Sequence, residues 1–410
     1  MSVTRDSIFD GIDDLPWAEV EHCFGPAVDT PGHLWNLRSP SVNDRHEAWQ
    51  ELITSIYHLG DRFPASSLAV PFLMRLALAP DTPDRDGVIG FLMDLAIGHD
   101  TEHFPAGFDV DSQRQQLTVL RAHTAESWER HVDEWVAAEP DDRRRERRIR
   151  HRKYYTLSGS ISGTESAVRA YEAVRAGIPE LRRLLHDEDP GVRAATAYLL
   201  AWFPEDAVES TAALATLLAT ETAVPVVINA MIALGLLKSV STTVLTPYLG
   251  SPDQPIAWAA AVALVCADVA DQVVIARLGD ALRCPPRDKF GLLYRYGDFG
   301  TCASRCLASI TGTMAPFALD VAIAAFTPHS NTQMWAAAPA AVALAFPESS
   351  DTSRPAFADL EPQQQRVLRE LVQAGPGPWR LNNKLDLLLT RHNMPRFWPE
   401  LLAYVEGTSP

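Results

Sequence analysis

One segment of the chain decides the fold: Leu181-Arg-Arg-Leu-Leu-His-Asp-Glu-Asp-Pro-Gly-Val-Arg-Ala-Ala-Thr-Ala-Tyr-Leu-Leu-Ala-Trp-Phe203. Leucines at helical spacing come first, an Asp/Pro/Gly turn follows, and an alanine-rich helical stretch completes the unit. The pair Leu184-Leu185 recurs at Leu217-Leu218, 33 residues later, and Leu185 has a third counterpart at Leu249 after 31 more. A period of this length made of two helices predicts an all-α fold, an α-solenoid in which antiparallel helix pairs stack into a superhelix.

The rest of the chain divides around this repeating block. Repeats weaken towards both ends, and one long stretch without the period interrupts them, as solenoids accommodate extra segments between repeats. The predicted organisation is an N-terminal cap (1–33), first repeats (34–97), an insertion (98–165), regular repeats (166–283), degenerate repeats (284–348) and a C-terminal helical cap (349–410).

Composition limits the kind of partner and the compartment. The 410 residues carry a formal net charge of −16, which argues against a general nucleic-acid or anionic-membrane binder. The most apolar segments, 225–237 and 256–265, are too short to span a bilayer, and the first ten residues lack the apolar core of a signal peptide. Five cysteines, an odd number, suit a reducing environment. We therefore expect a cytoplasmic protein without a membrane partner.

The insertion contains the sharpest charge feature of the chain. Residues 112–138 are predicted to form one long helix, and residues 143–153 then hold eight Lys/Arg and one Glu. Arg143, Arg147 and Arg150 represent this basic run as candidate contacts. Three interpretations stand: a solvated helix paired with the protein's own acidic faces, which is favoured, an acidic protein partner, or nucleic acid, the least favoured.

A second group of candidates lies near the N-terminus. Residues 14–24 are predicted to form a short capping helix that carries Trp17. Tyr57-His-Leu-Gly-Asp-Arg62 ends a repeat helix and enters a loop, where polar side chains can reach a groove. The candidate binding residues of this region are His22, Tyr57, His58, Asp61 and Arg62.

One motif matches a metal-binding pattern but does not lie in a predicted helix. His99-Asp-Thr-Glu-His103 matches the H-x-x-E-H pattern of inverted zinc peptidases. That chemistry needs both histidines on one helical face, whereas Gly98 before the motif and Pro105 after it indicate a surface turn. Phosphate-binding and nucleophile-elbow glycine motifs do not occur in the sequence. We expect no metal and no cofactor.

The repeat block resembles the HEAT-repeat superfamily, in particular the short bacterial repeats of the phycobilisome-lyase type. The residues that carry the resemblance are Leu181-x-x-Leu-Leu-x-Asp-x-Asp-Pro-x-Val-Arg193-x-Ala-x-Ala197. Leu15–Gly25, Ile56–Gly60 and Ala69–Leu73 are similar to the N-terminal region of uncharacterised actinobacterial HEAT-repeat proteins. The resemblance implies a fold rather than a reaction, and similar proteins are suspected to be adaptors or toxin-immunity proteins.

Two functions follow from this sequence. The first is a binding protein whose stacked second helices present a concave surface to a protein partner, with Arg193, Trp258, Trp335 and the 58–62 loop as contacts. The second is an enzyme of specialised metabolism or of nucleic-acid repair, like the HEAT-like DNA glycosylases, with a pocket between the N-terminal cap and the insertion. The enzyme needs titratable groups such as His22, His58 and Asp61 in one cavity, and a small-molecule ligand. We expect the binding protein.

Overall fold

The protein is known from a computed structural model. The structure describes residues 7–139, 142–239, 241–283, 291–294, 297–326, 334–346, 354–376 and 383–408, without the side chains of residues 143, 334, 335, 383 and 384. These residues are mostly helical, and the strands among them are limited to two short hairpins. The prediction of an all-α chain is therefore confirmed.

Contacts divide the chain into two compact units. The first unit comprises Met1–His103 and Phe108–Asp206, and the second comprises Phe104–Gly107 and Ala207–Pro410. The helices of the first unit are α1 (Thr30–Asn36), α2 (Val42–Ser55), α3 (Pro64–Leu78), α4 (Arg85–Ile97), α5 (Asp100–His103), α6 (Val110–Ala122), α7 (Ala125–Ala137), α8 (Asp142–His151), α9 (Leu157–Arg175), α10 (Ile178–Leu181) and α11 (Pro190–Leu200).

Both hairpins belong to the first unit. Strands β1 (Glu21–His22) and β2 (Gly25–Pro26) form one antiparallel pair, and β3 (Tyr57–His58) and β4 (Asp61–Arg62) form the other. The predicted helix over residues 14–24 is wrong. A 3-10 turn at Ile12–Asp14 is followed by the first hairpin, and the Trp17 indole donates to the Ile12 carbonyl at 2.7 Å to close the turn.

The helices of the second unit run consecutively. They are α12 (Ala207–Thr220), α13 (Val224–Leu237), α14 (Gln254–Cys266), α15 (Gln272–Leu282), α16 (Phe299–Ala308), α17 (Ala315–Ala324), α18 (Met334–Ala345), α19 (Pro362–Gln373), α20 (Asn383–Arg391) and α21 (Trp398–Glu406). Helix α13 packs against α12 and α14, and α14 packs against α15. Every residue of α13 from Val226 onwards is buried, because the helix has neighbours on more than one side.

Local sequence explains where the core helices begin. Asp189 caps α11 by accepting from the Gly191 amide at 2.8 Å, and Asp253 caps α14 by accepting from Ile256 N at 3.3 Å. Proline stands in the first turn of α11, α13 and α14, where its missing amide hydrogen costs nothing. Gly235 lets α13 approach α14, since a Cβ there would overlap the backbone of Ala263.

Within the first unit, α9 packs against α3, α4 and α6. The predicted long helix over residues 112–138 is wrong, because the chain breaks at His123 and Thr124 into α6 and α7. Thr124 restarts the helix as an N-cap that accepts from the Ser127 amide at 3.2 Å. Helix α6 packs on α9, where Arg114 pairs with Glu172 and with Glu205 (2.9 Å).

Candidate functional site

Two segments that the sequence singled out meet in the first unit. The Tyr57 hydroxyl of β3 lies 3.1 Å from Nδ1 of His99, which directly precedes α5. The two aromatic rings pack edge to face, with centroids 5.9 Å apart. Residues 42 positions apart in the sequence are thereby held together. The turn at Leu59-Gly60 and the first residues after α4 form one structural cluster.

Two glycines make this contact possible. Gly60 has a φ of 95°, and a Cβ there would lie 2.9 Å from the His99 ring. Gly98 has a φ of 77°, and a Cβ there would overlap Nη1 of Arg62. Both positions combine a backbone conformation that favours glycine with a side chain filling the space that a Cβ would take. The glycines therefore position His99 and Arg62.

Arg62 is a partly buried cation with two carboxylates nearby, those of Asp61 and Glu102. Its Nη1 donates to the Gly60 carbonyl, and its Nε is buried without a hydrogen-bond partner. Within the described ranges, its guanidinium forms no ion pair. Burial lowers the pKa of Arg62, while the nearby Tyr57, Asp61 and Glu102 oppose that effect. A cation desolvated in this way costs free energy that a bound anion can offset.

Arg62 lines a cavity of about 550 Å³ that is partly open to solvent. Leu59 and Asp61 from the hairpin, and Glu102 and His103 from α5, line it as well. The volume falls within the range of small-molecule sites, roughly 300–1,000 Å³. All residues that line the cavity belong to the first unit.

Helix α7 supplies the aromatic wall of the cavity. Trp128, His131, Val132 and Trp135 follow one another at helical spacing and all line the cavity. Val132 is the buried residue of this helix, whereas both tryptophan rings are half-buried. An amphipathic helix that turns its apolar stripe towards a cavity leaves aromatic surface for a ligand.

The segment after α8 holds the aromatic wall in place. The Trp128 indole donates to the Tyr155 carbonyl at 2.9 Å, and the Trp135 and Tyr155 rings lie 4.8 Å apart. The Arg148 guanidinium stacks over the Trp135 ring at 4.6 Å and pairs with Glu139 at 2.8 Å. These contacts fix both indoles before any ligand arrives.

His103 brings a neutral imidazole to the cavity. Its Nε2 donates to the Ile97 carbonyl at 2.8 Å, which leaves Nδ1 as the basic nitrogen of the neutral ring. Burial lowers the pKa of His103, although the Ile97 carbonyl and Glu102 oppose the shift. The ring packs edge to face on Phe108 at 4.8 Å. His103 therefore stays uncharged near neutral pH.

The other predicted site residues of the first unit lie outside the cavity lining. His22 is buried, donates to Asp29 at 3.0 Å and accepts from the Phe24 amide at 3.0 Å, so both ring nitrogens are used in the first hairpin. His58 faces the Phe24 ring with centroids 6.2 Å apart. Arg193 donates to the carbonyls of Asp187 and Glu188 at 2.9 and 3.0 Å. His58 is the strand partner of Asp61, but neither His22 nor His58 lines the cavity that Asp61 lines.

Trp258 of the second unit is 7% exposed and packs edge to face on Phe299 at 5.6 Å. It contributes to the core of that unit. The side chains of Trp335 and Arg143 lie outside the described residues. Their role as contact residues therefore stays a prediction.

Several arginines of the basic run, residues 143–153, form ion pairs within the first unit. Arg145 pairs with Asp142 at 2.8 Å and Arg152 with Asp133 at 2.7 Å. Arg150 is exposed and lies 3.9 Å from Glu146, and Arg147 is exposed. Together with the pair between Arg148 and Glu139, these contacts favour the interpretation in which the basic run pairs with the protein's own acidic side chains.

The H-x-x-E-H motif takes the form of a single turn, α5, as its flanking residues predicted. Among the residues that the structure describes, no three or more His, Cys, Asp or Glu side chains come together so as to hold a metal ion. None of the described helices combines the length and the apolar character needed to cross a bilayer.

Comparisons with known proteins identify no family. No family model matches the chain, and no curated protein matches it. A solved structure of an engineered protein from the Northeast Structural Genomics Consortium is 16% identical, over 93% of this chain and 100% of that one, with a TM-score of 0.29. A likeness at that level carries no argument about fold or function.

Sequence reasoning found part of the site and missed part of it. Tyr57, Asp61 and Arg62 were candidates, and the structure places Asp61 and Arg62 in the cavity lining. Glu102 and His103 belong to the H-x-x-E-H motif, which the sequence predicts to form a surface turn. Trp128 and Trp135 carried a signal in the apolar stripe of the predicted helix, but a stripe does not say whether it faces a helix or a cavity.

Proposed function

We propose that the first unit binds a small organic molecule that carries a carboxylate and a flat apolar body. The carboxylate pairs with Arg62, and the apolar body lies against Trp128 and Trp135 of α7. The observation that carries this proposal is the state of Arg62, a partly buried guanidinium in a cavity that forms no ion pair among the described residues. A planar guanidinium is suited to a carboxylate because it presents paired donors.

Three further features support a small ligand. The cavity has the volume of a drug-sized site, its aromatic wall is fixed by its own contacts, and the glycine at position 98 makes room for the arginine. A pre-arranged site binds more tightly because less side-chain freedom is lost on binding. This proposal takes the pocket from the enzyme hypothesis without assigning it a reaction.

The protein-partner hypothesis has weaker support from the contacts. Arg193 is occupied by carbonyls of its own turn, and Trp258 is buried, so neither offers a free anchor for a partner. Adaptor and toxin-immunity roles therefore rank below the small-molecule site. Arg147, which is exposed on α8, is the contact candidate that best suits an acidic protein surface.

We also propose that helices α12 to α16 stack as HEAT-like repeats. Consecutive helices of the second unit pack on one another. Helix α14 begins at an Asp/Pro turn of the kind that the resemblance implies, whereas α13 keeps the proline but begins after Ala223. Nearest-neighbour packing of this type is what a helical repeat array requires.

The test is calorimetric titration of 3-phenylpropionate into the full-length protein. We expect binding by the wild type and at least about a tenfold loss in Arg62→Met, with partial recovery in Arg62→Lys. Arg130→Met is the matched control, because Arg130 lies on the same helix as the aromatic wall with a side chain 65% exposed. Equal affinity in wild type and Arg62→Met would refute the proposal.

A further inference from the structure

Three charged side chains line the cavity and, within the described residues, form no ion pair with one another. Arg62 carries the positive charge, and Asp61 and Glu102 carry negative charges. Within the described part of the chain, neither carboxylate forms a hydrogen bond or an ion pair through its side chain. Opposite charges that share a cavity usually pair directly when their geometry allows it. Here both carboxylates are exposed to solvent, whereas Arg62 is partly buried.

The hairpin explains why Asp61 and Arg62 stay apart. Tyr57 pairs with Arg62 and His58 with Asp61, so the register of β3 and β4 is fixed. Successive side chains of a strand point to opposite sides, and Arg62 is also tied to the Gly60 carbonyl. The strand therefore directs the Asp61 carboxylate away from the Arg62 guanidinium. Both charges remain available to a third group.

We propose that the ligand is a zwitterion, an α-amino acid with an aromatic side chain. This inference rests on the proposed function and specifies the substrate class of the same site. The carboxylate pairs with Arg62, the ammonium group lies against Asp61 and Glu102, and the aromatic side chain packs on Trp128 and Trp135.

The balance of charge favours a zwitterion over a simple carboxylate. Two carboxylates and one guanidinium line the cavity, and His103 is neutral. A ligand with only a carboxylate adds to the negative excess, whereas an amino acid brings its own positive charge to the place where the excess lies.

The test compares L-phenylalanine with two probes that each lack one of its charged groups. These are 3-phenylpropionate, which lacks the ammonium group, and 2-phenylethylamine, which lacks the carboxylate. Calorimetry is run on the full-length wild type, on Arg62→Met and on the double variant Asp61→Asn/Glu102→Gln. Both positions of the double variant are exposed, and its thermal melt checks that it folds.

We expect the wild type to bind L-phenylalanine about tenfold more tightly than 3-phenylpropionate. In the double variant that preference disappears, because L-phenylalanine weakens while 3-phenylpropionate binds as well as before or better. Arg62→Met should weaken both carboxylates and leave 2-phenylethylamine least affected. If 3-phenylpropionate binds the wild type as tightly as L-phenylalanine does, the zwitterion is excluded and the carboxylate site stands. If none of the three probes binds at about 10 mM, both proposals fall.

Discussion

The Tyr57 hydroxyl lies 3.1 Å from Nδ1 of His99 and joins the second hairpin to the turn that follows α4. The same junction places Arg62 against Gly98, so one contact between distant parts of the sequence assembles the cationic side of the cavity. The contact depends on a hydroxyl, two rings and two glycines. We therefore expect substitutions in the hairpin, or in the turn after α4, to change the position of Arg62.

The first prediction concerns Gly98. Replacement by alanine should destabilise the protein by about 1–3 kcal/mol, since alanine disfavours a φ of 77° and its Cβ would overlap Arg62. Thermal or urea unfolding measures the change. Gly90→Ala in the same region is the matched control, because nothing lies within 4 Å of a Cβ there. That substitution should stabilise by about 0.5–1 kcal/mol, and destabilisation by both variants would contradict the account.

A second prediction concerns Leu59 at the tip of the hairpin. Its φ is 53° and its side chain is 81% exposed, both unfavourable for a leucine, while it also lines the cavity. Leu59→Asn should raise the melting temperature, because asparagine accepts this conformation, and should weaken binding of 3-phenylpropionate. Leu59→Val should lower the melting temperature. Unchanged affinity in Leu59→Asn would show that the tip does not touch the ligand.

The third prediction concerns the ion pair between Arg85 and Asp187. The two side chains lie 2.8 Å apart with exposures of 8% and 16%, and Arg85 Nε also donates to the Ala77 carbonyl at 3.0 Å. Although burial opposes it, the hydrogen bond from Arg85 lowers the pKa of Asp187. Asp187→Asn should cost about 3–5 kcal/mol, because Arg85 is left buried without its countercharge.

The exposed pair of Arg366 and Asp320 is the control for that substitution. Asp320→Asn should change the free energy of unfolding by less than about 1 kcal/mol. Similar losses for the buried and the exposed pair would mean that burial does not set the strength of these contacts.

The fourth prediction concerns pH. Burial, and then the nearby Asp100, raise the pKa of Asp94 to about 7. The folded state therefore keeps a proton that the unfolded chain has already lost above about pH 4. This contribution to stability is complete at acidic pH and is lost as pH rises towards 7. Asp94→Asn should remove that loss. At pH 8 the free energy of unfolding of the variant should exceed that of the wild type by on the order of 1 kcal/mol.

Chemical unfolding at pH 5 and pH 8 measures this effect. Asp86→Asn is the control, because Asp86 lies on the same helix with an exposed side chain. It should leave the pH dependence of the wild type unchanged. A wild type whose Asp94 contribution does not fall between these pH values would refute the assigned shift.

The sequence predicts most of the helices but does not predict the two hairpins. The Asp/Pro turn before α11 was readable because the cap and the proline act locally, within a few residues. The second hairpin was not, because each strand has two residues, too few for an alternating pattern, and its turn is Leu59-Gly60 rather than the usual Asn-Gly. The break between α6 and α7 was hidden by apolar residues that continue at helical spacing through a capping threonine.

In the candidate site too, features that depend on nearby residues can be predicted from the sequence, and features that depend on tertiary packing cannot. Arg62 and Asp61 could be named from their position after a helix, but their cavity could not, since it needs α5 and α7 to come together around them. A sequence also does not reveal that Asp29 and the Phe24 amide occupy both ring nitrogens of His22. Pairing across a fold is decided by tertiary packing.

The measurement that tests the central claim most directly is the indole region of a 15N–1H correlation spectrum during titration. Trp128→Phe and Trp135→Phe assign two of the ten tryptophans. We predict that 3-phenylpropionate shifts these two signals in the wild type, that its neutral amide shifts them much less, and that Arg62→Met abolishes the difference. Shifts confined to other tryptophans, or an equal response to acid and amide, would contradict an anion site at Arg62.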